Sequence, residues 1–308
     1  MKTILITTSS FAVETPELLS DLMEKGFRYV LNPFGRVIGS DELTRLLDQY
    51  RPLGILAGTE RIDGKILAGA GDYLKVISRV GVGWDNVDLA AAAAMGVKVY
   101  RTEHVLTQAV AELTIGMILA GLRNLAGHDR LVRTLRWQKH MGSLLAKKML
   151  GIIGFGEIGQ RVGELAKAFG AEVIYYDPCP KDEVPWAQAT TLNDLLERAE
   201  IVSLHAGGRD VILGDGELKI CRQGVILINT ARGGLIDENA LVHQLATGRV
   251  GFACLDVFAM EPYNGPLLKY NNVLVTPHIG SYAREARTEM EKLAMANLYA
   301  GLREAGCL

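Results

Sequence analysis

The sequence has no excess of charge of either sign. Its 308 residues carry 33 basic and 35 acidic side chains, a formal net charge of −2. No basic field would draw the chain onto a polyanion, so a nucleic-acid partner is not expected. Positive charge for an anionic ligand must then be local. Cysteine is scarce: Cys179, Cys221, Cys254 and Cys307 are widely spaced and form no CxxC pair. This argues against a disulfide framework and against a metal site, and it points to a reducing, cytoplasmic setting. Long apolar runs are missing too. The most apolar stretch, residues 113–122, includes Thr114, Gly116 and Gly121 and is too short to cross a bilayer, so no membrane partner is expected. The N-terminal MKTILITTSS offers one Lys and a short strand-like run, too little for a signal-peptide core. There is no tandem repeat and no low-complexity segment.

What is present is ample core material, 49% apolar residues, in a length that suits two domains. Short β-branched runs at 4–6, 29–31, 54–57, 76–78 and 97–100 predict strands. Helices are expected at 16–25, at 40–50 behind a Ser-Asp-Glu capping pattern, and at 88–95. Residues 106–123 read as one helix, apolar on most sides, hence buried in a domain or at a subunit contact. Residues 130–148 are polar and basic, a connection. Strands then recur at 150–153, 172–176, 201–204, 225–228, 251–255 and 273–275, with helices at 157–169, 192–198 and 238–247. Such alternation implies α/β architecture: doubly wound parallel sheets with helices on both faces.

The clearest local signal is Gly154-Phe155-Gly156-Glu157-Ile158-Gly159, placed directly after a strand and opening a helix. Gly154 permits the tight turn. Gly156 lets backbone approach a pyrophosphate facing the helix N–H groups, and Gly159 lets helix and strand pack closely. Asp177 ends the following strand, where a carboxylate binds ribose hydroxyls and repels a 2′-phosphate. The expected cofactor is therefore NAD. Lys181 is the nearest cation that could admit NADP.

Further motifs follow in order: Arg79-Val80-Gly81-Val82-Gly83-Trp84-Asp85-Asn86-Val87-Asp88, Ala111-Glu112-Leu113, Ile228-Asn229-Thr230-Ala231-Arg232-Gly233-Gly234, Leu255-Asp256-Val257-Phe258, Glu261-Pro262 and Pro277-His278-Ile279-Gly280. With the glycine fingerprint they span nearly the whole chain. On these residues the chain resembles the D-isomer-specific 2-hydroxyacid dehydrogenases, and within them the phosphoglycerate dehydrogenase-like group.

The resemblance implies hydride transfer between nicotinamide and C2 of a small 2-hydroxy (2-keto) acid. It places the catalytic set on Arg232, Glu261 and His278. The chemistry asks for those types. A His donates a proton to the carbonyl oxygen as hydride reaches carbon. A Glu orients the imidazole and favours its charged form. An Arg grips the carboxylate in bidentate fashion. The resemblance further assigns the amides of Gly81, Val82 and Gly83 to the substrate carboxylate, an anion nest. It assigns Asp256 to the nicotinamide carboxamide, with Thr230, Ala231 and Gly280 at the same end. Arg61 and Arg79 are candidates for a substrate phosphate or second carboxylate. This favours 3-phosphoglycerate, with glyoxylate or hydroxypyruvate as the alternative.

The implied organisation is a flavodoxin-like substrate domain, residues 1–100 plus 285–308, and a Rossmann NAD-binding domain, residues 101–284. The active site is expected in the cleft between them, and the helix at 106–123 at the interface of a homodimer. Three departures from the family pattern stand out. Glu157 sits where an Arg is common. The loop Ala206-Gly207-Gly208-Arg209-Asp210 replaces a longer Pro- and Thr-containing one. Gly280-Ser281-Tyr282-Ala283 replaces Gly-Ala-Ser-Thr, so that Tyr282 would reshape the substrate pocket. Only 30 residues follow His278, too few for the regulatory domains of longer phosphoglycerate dehydrogenases. A dinucleotide-sensing corepressor of the same fold is the rival reading, and turnover of any 2-keto acid separates the two.

Overall fold

The computed structural model describes residues 2–181, 184–208 and 210–308; Arg209 of the shortened loop lies outside them. The chain divides into two compact units. One comprises Met1–Leu106 and Ser281–Leu308, the other Thr107–Gly280.

In the first unit, β1 (Lys2–Ile6), α1 (Glu17–Glu24), β2 (Phe27–Leu31), α2 (Ser40–Tyr50), β3 (Gly54–Ala57), α3 (Gly64–Ala70), β4 (Val76–Arg79), α4 (Leu89–Ala94) and β5 (Lys98–Arg101) alternate. The strands form one parallel sheet, ordered β2-β1-β3-β4-β5, with Ile4 opposite Gly54 and Ile55 opposite Ile77. This is the flavodoxin-like order, whose direction reverses between β1 and β3. β1, β3 and β4 are almost wholly buried, which explains why they read as continuous apolar runs rather than as alternation.

In the second unit, α5 (Thr107–Arg123) and α6 (Leu125–Arg133) precede β6 (Met149–Ile153), α7 (Glu157–Ala168), β7 (Glu172–Tyr176), β8 (Gln188–Ala189), α8 (Leu192–Arg198), β9 (Ile201–Leu204), α9 (Asp215–Ile220), β10 (Val225–Asn229), α10 (Glu238–Ala246), β11 (Val250–Leu255) and β12 (Val273–Val275). All pairings are parallel, in the order β12-β11-β10-β9-β6-β7-β8. This is a Rossmann sheet with one added strand, and its switch point lies between β6 and β9. Both sheets have the expected α/β, doubly wound form.

The helix expected at 106–123, buried in a domain or at a subunit contact, is α5. The buried side of α5, including Ile115, Ile118 and Leu122, lies in the core of its own unit with Ile152, Phe155, Val162 and Phe252. Uncovered apolar side chains follow it instead: Leu125, Val132, Leu135, Trp137, Met141 and Leu144 are exposed. The connection at 130–148 is thus polar in composition yet carries most of that surface. Among the described residues no single helix is long and apolar enough to cross a membrane.

The last helix, α11 (Arg284–Glu304), belongs to the first unit and packs on β3, β4 and β5. Its inward side carries Arg287 and Glu291, joined at 2.6 Å. Glu291 also accepts from Ala12 N at 2.9 Å and Thr15 Oγ1 at 2.7 Å. A charged pair on the buried face interrupts the apolar period by which a helix is recognised.

Candidate active site

The glycine turn is built as its sequence requires. Gly154 has φ +90°, and a Cβ there would lie 2.5 Å from Ala206 N. A Cβ on Gly159 would collide with the carbonyl oxygen of Gly154. A Cβ on Gly156 would meet nothing within 4 Å, so the backbone opening α7 faces open space. An anion can approach the helix N-terminus there, as a pyrophosphate must. Ile158 packs partly buried behind the turn. Glu157 lies in the first helical turn, and its carboxylate accepts from Thr107 Oγ1 at 3.3 Å.

Asp177 closes the turn. Its Oδ2 accepts from Phe155 N at 2.7 Å and its Oδ1 from Cys179 N at 2.9 Å, which leaves each oxygen a lone pair for a hydroxyl. Replacing Asp177 with Ala should therefore shift preference from NAD toward NADP. The ribose hydroxyls lose an acceptor, while a 2′-phosphate loses a repulsive neighbour. The readout is the ratio of kcat/KM for the two cofactors, and an unchanged ratio would take Asp177 away from the ribose.

His205, at the end of β9, has its Nε2 2.8 Å from Ser203 Oγ. Burial pushes its pKa down to about 3, so it stays neutral and is no rival as a proton donor.

A second cluster forms where β10, β11 and β12 end. Asn229 closes the turn after β10: its Nδ2 donates to Arg232 O at 2.8 Å and its Oδ1 accepts from Ala231 N at 3.0 Å. Arg232 Nη1 donates to Ala231 O at 2.7 Å. The next residue, Gly233, lies so close to Phe258 that a Cβ would collide with the Phe258 carbonyl. That contact sets the Arg232 turn against the loop carrying Glu261. Thr230 points inward, its hydroxyl 2.9 Å from Thr114 Oγ1. Thr114 donates to Val110 O, so Thr230 is the donor between the two hydroxyls, and its side chain anchors β10 to α5.

Asp256 is fully buried, and its carboxylate organises the following turn. Oδ1 accepts from Thr276 Oγ1 at 2.6 Å and Ile279 N at 2.7 Å, while Oδ2 accepts from Gly280 N at 2.8 Å. Its main-chain carbonyl accepts from His278 N at 2.9 Å. Four bonds thus hold the turn in which His278 adopts φ +55°. His278 Nδ1 donates to Glu261 Oε2 at 2.8 Å, and Glu261 Oε1 accepts from Phe258 N at 3.1 Å. Burial raises the Glu261 pKa. The His278 hydrogen bond and charge, the Phe258 N–H and the Arg232 charge outweigh that and hold it below its ordinary value. Glu261 is therefore an anion at neutral pH, its bond fixes Nδ1 as the donor, and Nε2 is left for chemistry. Arg232, Glu261 and His278 form one electrostatic group, as a carboxylate clamp beside a proton donor needs.

The remaining candidates lie in the first unit. Gly81 donates its N–H to Arg79 O at 3.0 Å, so the amides of Val82 and Gly83 are the ones left to an anion. Arg79 is buried beneath this loop: a Cβ on Gly81 would lie 2.8 Å from Arg79 Cζ. Arg61 extends into solvent and pairs with Asp63 at 3.3 Å. Tyr282 Oη lies 3.1 Å from Ser10 Oγ, and Arg287 lies over its ring at 5.3 Å. Asn229 and Thr276 were not expected as site residues. Their types are common in turns, and only the folded bonds single them out.

Comparison with known proteins follows the same lines. Residues 115–280 match the family described as D-isomer specific 2-hydroxyacid dehydrogenase, NAD binding domain. The chain is 39% identical over 259 residues to a glyoxylate reductase of Aeropyrum pernix, covering 79% of this chain and 77% of that one. It is 36% identical over 285 residues to a D-3-phosphoglycerate dehydrogenase of Methanocaldococcus jannaschii, covering 88% of this chain and 54% of that one. The crystal structure of the TT0316 protein from Thermus thermophilus superposes with a TM-score of 0.89 at 35% identity, over 98% of this chain and 97% of that one.

Proposed function

The chain belongs to the D-isomer-specific 2-hydroxyacid dehydrogenase family, and from that premise we propose that its substrate is a short, unphosphorylated 2-keto acid such as glyoxylate or hydroxypyruvate. It is an NAD-dependent D-2-hydroxyacid dehydrogenase. The bound dinucleotide supplies or accepts the hydride at C2. Arg232 holds the substrate carboxylate and carbonyl, and His278 Nε2 gives a proton to the carbonyl oxygen in reduction and recovers it in oxidation. Glu261 holds the imidazole by its Nδ1, and Asp256 holds the turn that presents it.

The charge balance around the Val82–Gly83 amides carries the substrate assignment. Arg61 is paired with Asp63. Arg101 pairs with Glu103 and lies over the Trp84 ring at 4.0 Å. Arg79 is buried and donates to the Val80 carbonyl beneath this loop. Amides flanked by cations that are paired or buried suit one carboxylate. A dianionic phosphate needs cations that are not already neutralised. Arg79 as the holder of a C3 phosphate, in a 3-phosphoglycerate dehydrogenase, is the competing reading. Initial rates of NADH oxidation with glyoxylate, hydroxypyruvate and phosphohydroxypyruvate decide between them. The expected kcat/KM for the phosphorylated acid is lower by about tenfold or more, the cost of an unmatched charged group. A preference for it would overturn the assignment.

The same reading makes the protein a homodimer in a reducing cytoplasm. Leu135, Trp137 and Met141 are exposed at 96%, 82% and 101%, on a segment that a second copy would cover. All four cysteines are free. Light scattering should give twice the chain mass, and Trp137→Glu should shift it toward the monomer. A monomeric wild type would remove this part of the proposal.

A further inference from the structure

We infer that Glu238 is a positioning residue for the acid–base pair: its carboxylate ties the loop that carries Glu261 to the segment that carries Arg232. The inference rests on the roles proposed for Arg232, Glu261 and His278.

Two stretches of chain supply the charged groups of the site. Residues 230–238 leave β10 and enter α10, with Arg232 near their start and Glu238 as the first residue of the helix. Residues 256–263 leave β11 and carry Glu261. The two stretches meet at two points. Gly233 makes the first contact, against the Phe258 carbonyl, where there is no room for a Cβ. Glu238 makes the second, its Oε1 accepting from Ala259 N at 2.8 Å. The preceding amide, Phe258 N, donates to Glu261 Oε1 at 3.1 Å. Glu261 Oε2 in turn accepts from His278 Nδ1 at 2.8 Å. Consecutive amides of one loop thus join Glu238 to the carboxylate that orients the imidazole. Side chains brace the rest of the loop: the Phe258 and Tyr263 rings stack at 4.3 Å, and Tyr263 Oη accepts from Leu267 N at 3.3 Å.

A carboxylate in the first turn of a helix has an ordinary use, which is to complement the helix dipole. That use does not require Ala259. Asp237 already caps α10, its Oδ1 accepting from Asn239 N at 2.9 Å and from Ala240 N at 3.2 Å. The Glu238 side chain turns instead to a loop 21 residues ahead. Ala259 is exposed, so without Glu238 its N–H bonds to water and the fold loses little. What is lost is the placement of the next amide, and with it the placement of Glu261 and His278. Small displacements of a catalytic group cost rate far more than they cost stability.

Two variants separate reach from charge. Glu238→Asp keeps the charge in the first turn of α10 but is one methylene shorter and withdraws from Ala259. Glu238→Gln keeps an oxygen acceptor at full reach and gives up the charge. With hydroxypyruvate as the probe, Glu238→Asp should lower kcat by about three- to tenfold, as the net loss of one hydrogen bond does. Its thermal midpoint and NADH affinity should stay at wild-type values, and its solvent deuterium isotope effect on kcat should rise, because proton delivery is the step disturbed. Glu238→Gln should keep kcat within about twofold, since the acceptor remains. In a Glu261→Gln background, Glu238→Asp should cost nothing further, as expected of a residue that acts through Glu261. Wild-type kcat in Glu238→Asp, equal losses in Asp and Gln, an unchanged isotope effect, or losses that multiply with Glu261→Gln would overturn the assignment. If Glu238→Asp does not fold, Glu238→Ala takes its place with the same expectations for kcat, isotope effect and coupling. A wild type that does not reduce hydroxypyruvate, or a Glu261→Gln variant at full speed, overturns the reading of the site and Glu238's role with it. A slow Glu261→Gln beside a normal Glu238→Asp overturns the role of Glu238 alone.

Discussion

His278→Gln is expected to lower kcat for 2-keto acid reduction by about 10²–10⁴-fold, the range of general acid–base catalysis, with NADH affinity retained. The argument is geometric. His278 Nδ1 donates to Glu261 at 2.8 Å, so Nε2 is the atom left to carry the transferred proton. Glutamine can repeat a hydrogen bond but cannot deliver a proton at neutral pH. The dinucleotide turn at residues 154–159 and Asp177 is built from other elements, so cofactor binding is not involved. Stopped-flow NADH oxidation gives the rate, and fluorescence titration gives the NADH affinity. Full-speed turnover by the variant would mean that another group supplies the proton.

Arg232→Ala should cost on the order of 10²–10⁴ in kcat/KM for every 2-keto acid tested. Two charge-assisted bonds to the carboxylate are worth about 1.5–3 kcal/mol each, and each ~1.4 kcal/mol is tenfold. Arg232→Lys should recover only part of the loss, because a point charge replaces a planar fork. The variant also removes a cation from Glu261, so the proton donor's partner is disturbed as well. Loss confined to one substrate would place Arg232 at a side-chain pocket rather than at the shared carboxylate. Near-complete rescue by Lys would deny the bidentate contact.

The sheets were legible because their strands are short, β-branched and buried, and because glycines mark helix ends. Gly154, Gly156, Gly159 and Asp177 lie close together in sequence, so spacing alone expressed their geometry. Helices α3, α6 and α9 were missed, each short enough that no stripe repeats. Helix α11 was missed for a different reason: its core-facing side includes Arg287 and Glu291, whose burial is explained only by each other and by Ala12 and Thr15, far away in sequence.

The site was legible as residue types rather than as bonds. Asp256 reads from resemblance as a cofactor contact, and the fold adds its bonds to Thr276, Ile279 and Gly280, which the sequence does not express. Arg79 reads as a ligand for a substrate phosphate or second carboxylate, and the fold buries it against Gly81. Nothing in the Thr59-Glu60-Arg61 sequence announces that Glu60 folds back to accept from Thr7, just beyond β1. Such pairings are non-local, and periodicity carries no information about them.

The central claim is direct hydride transfer from nicotinamide to C2, with the proton supplied separately. Reduction of hydroxypyruvate with NADH deuterated at the transferred C4 position tests it most directly, with the product analysed by NMR. The account predicts D-glycerate carrying one deuterium at C2 and none on oxygen after exchange. A product without deuterium at C2, or no reduction of any 2-keto acid, would contradict it.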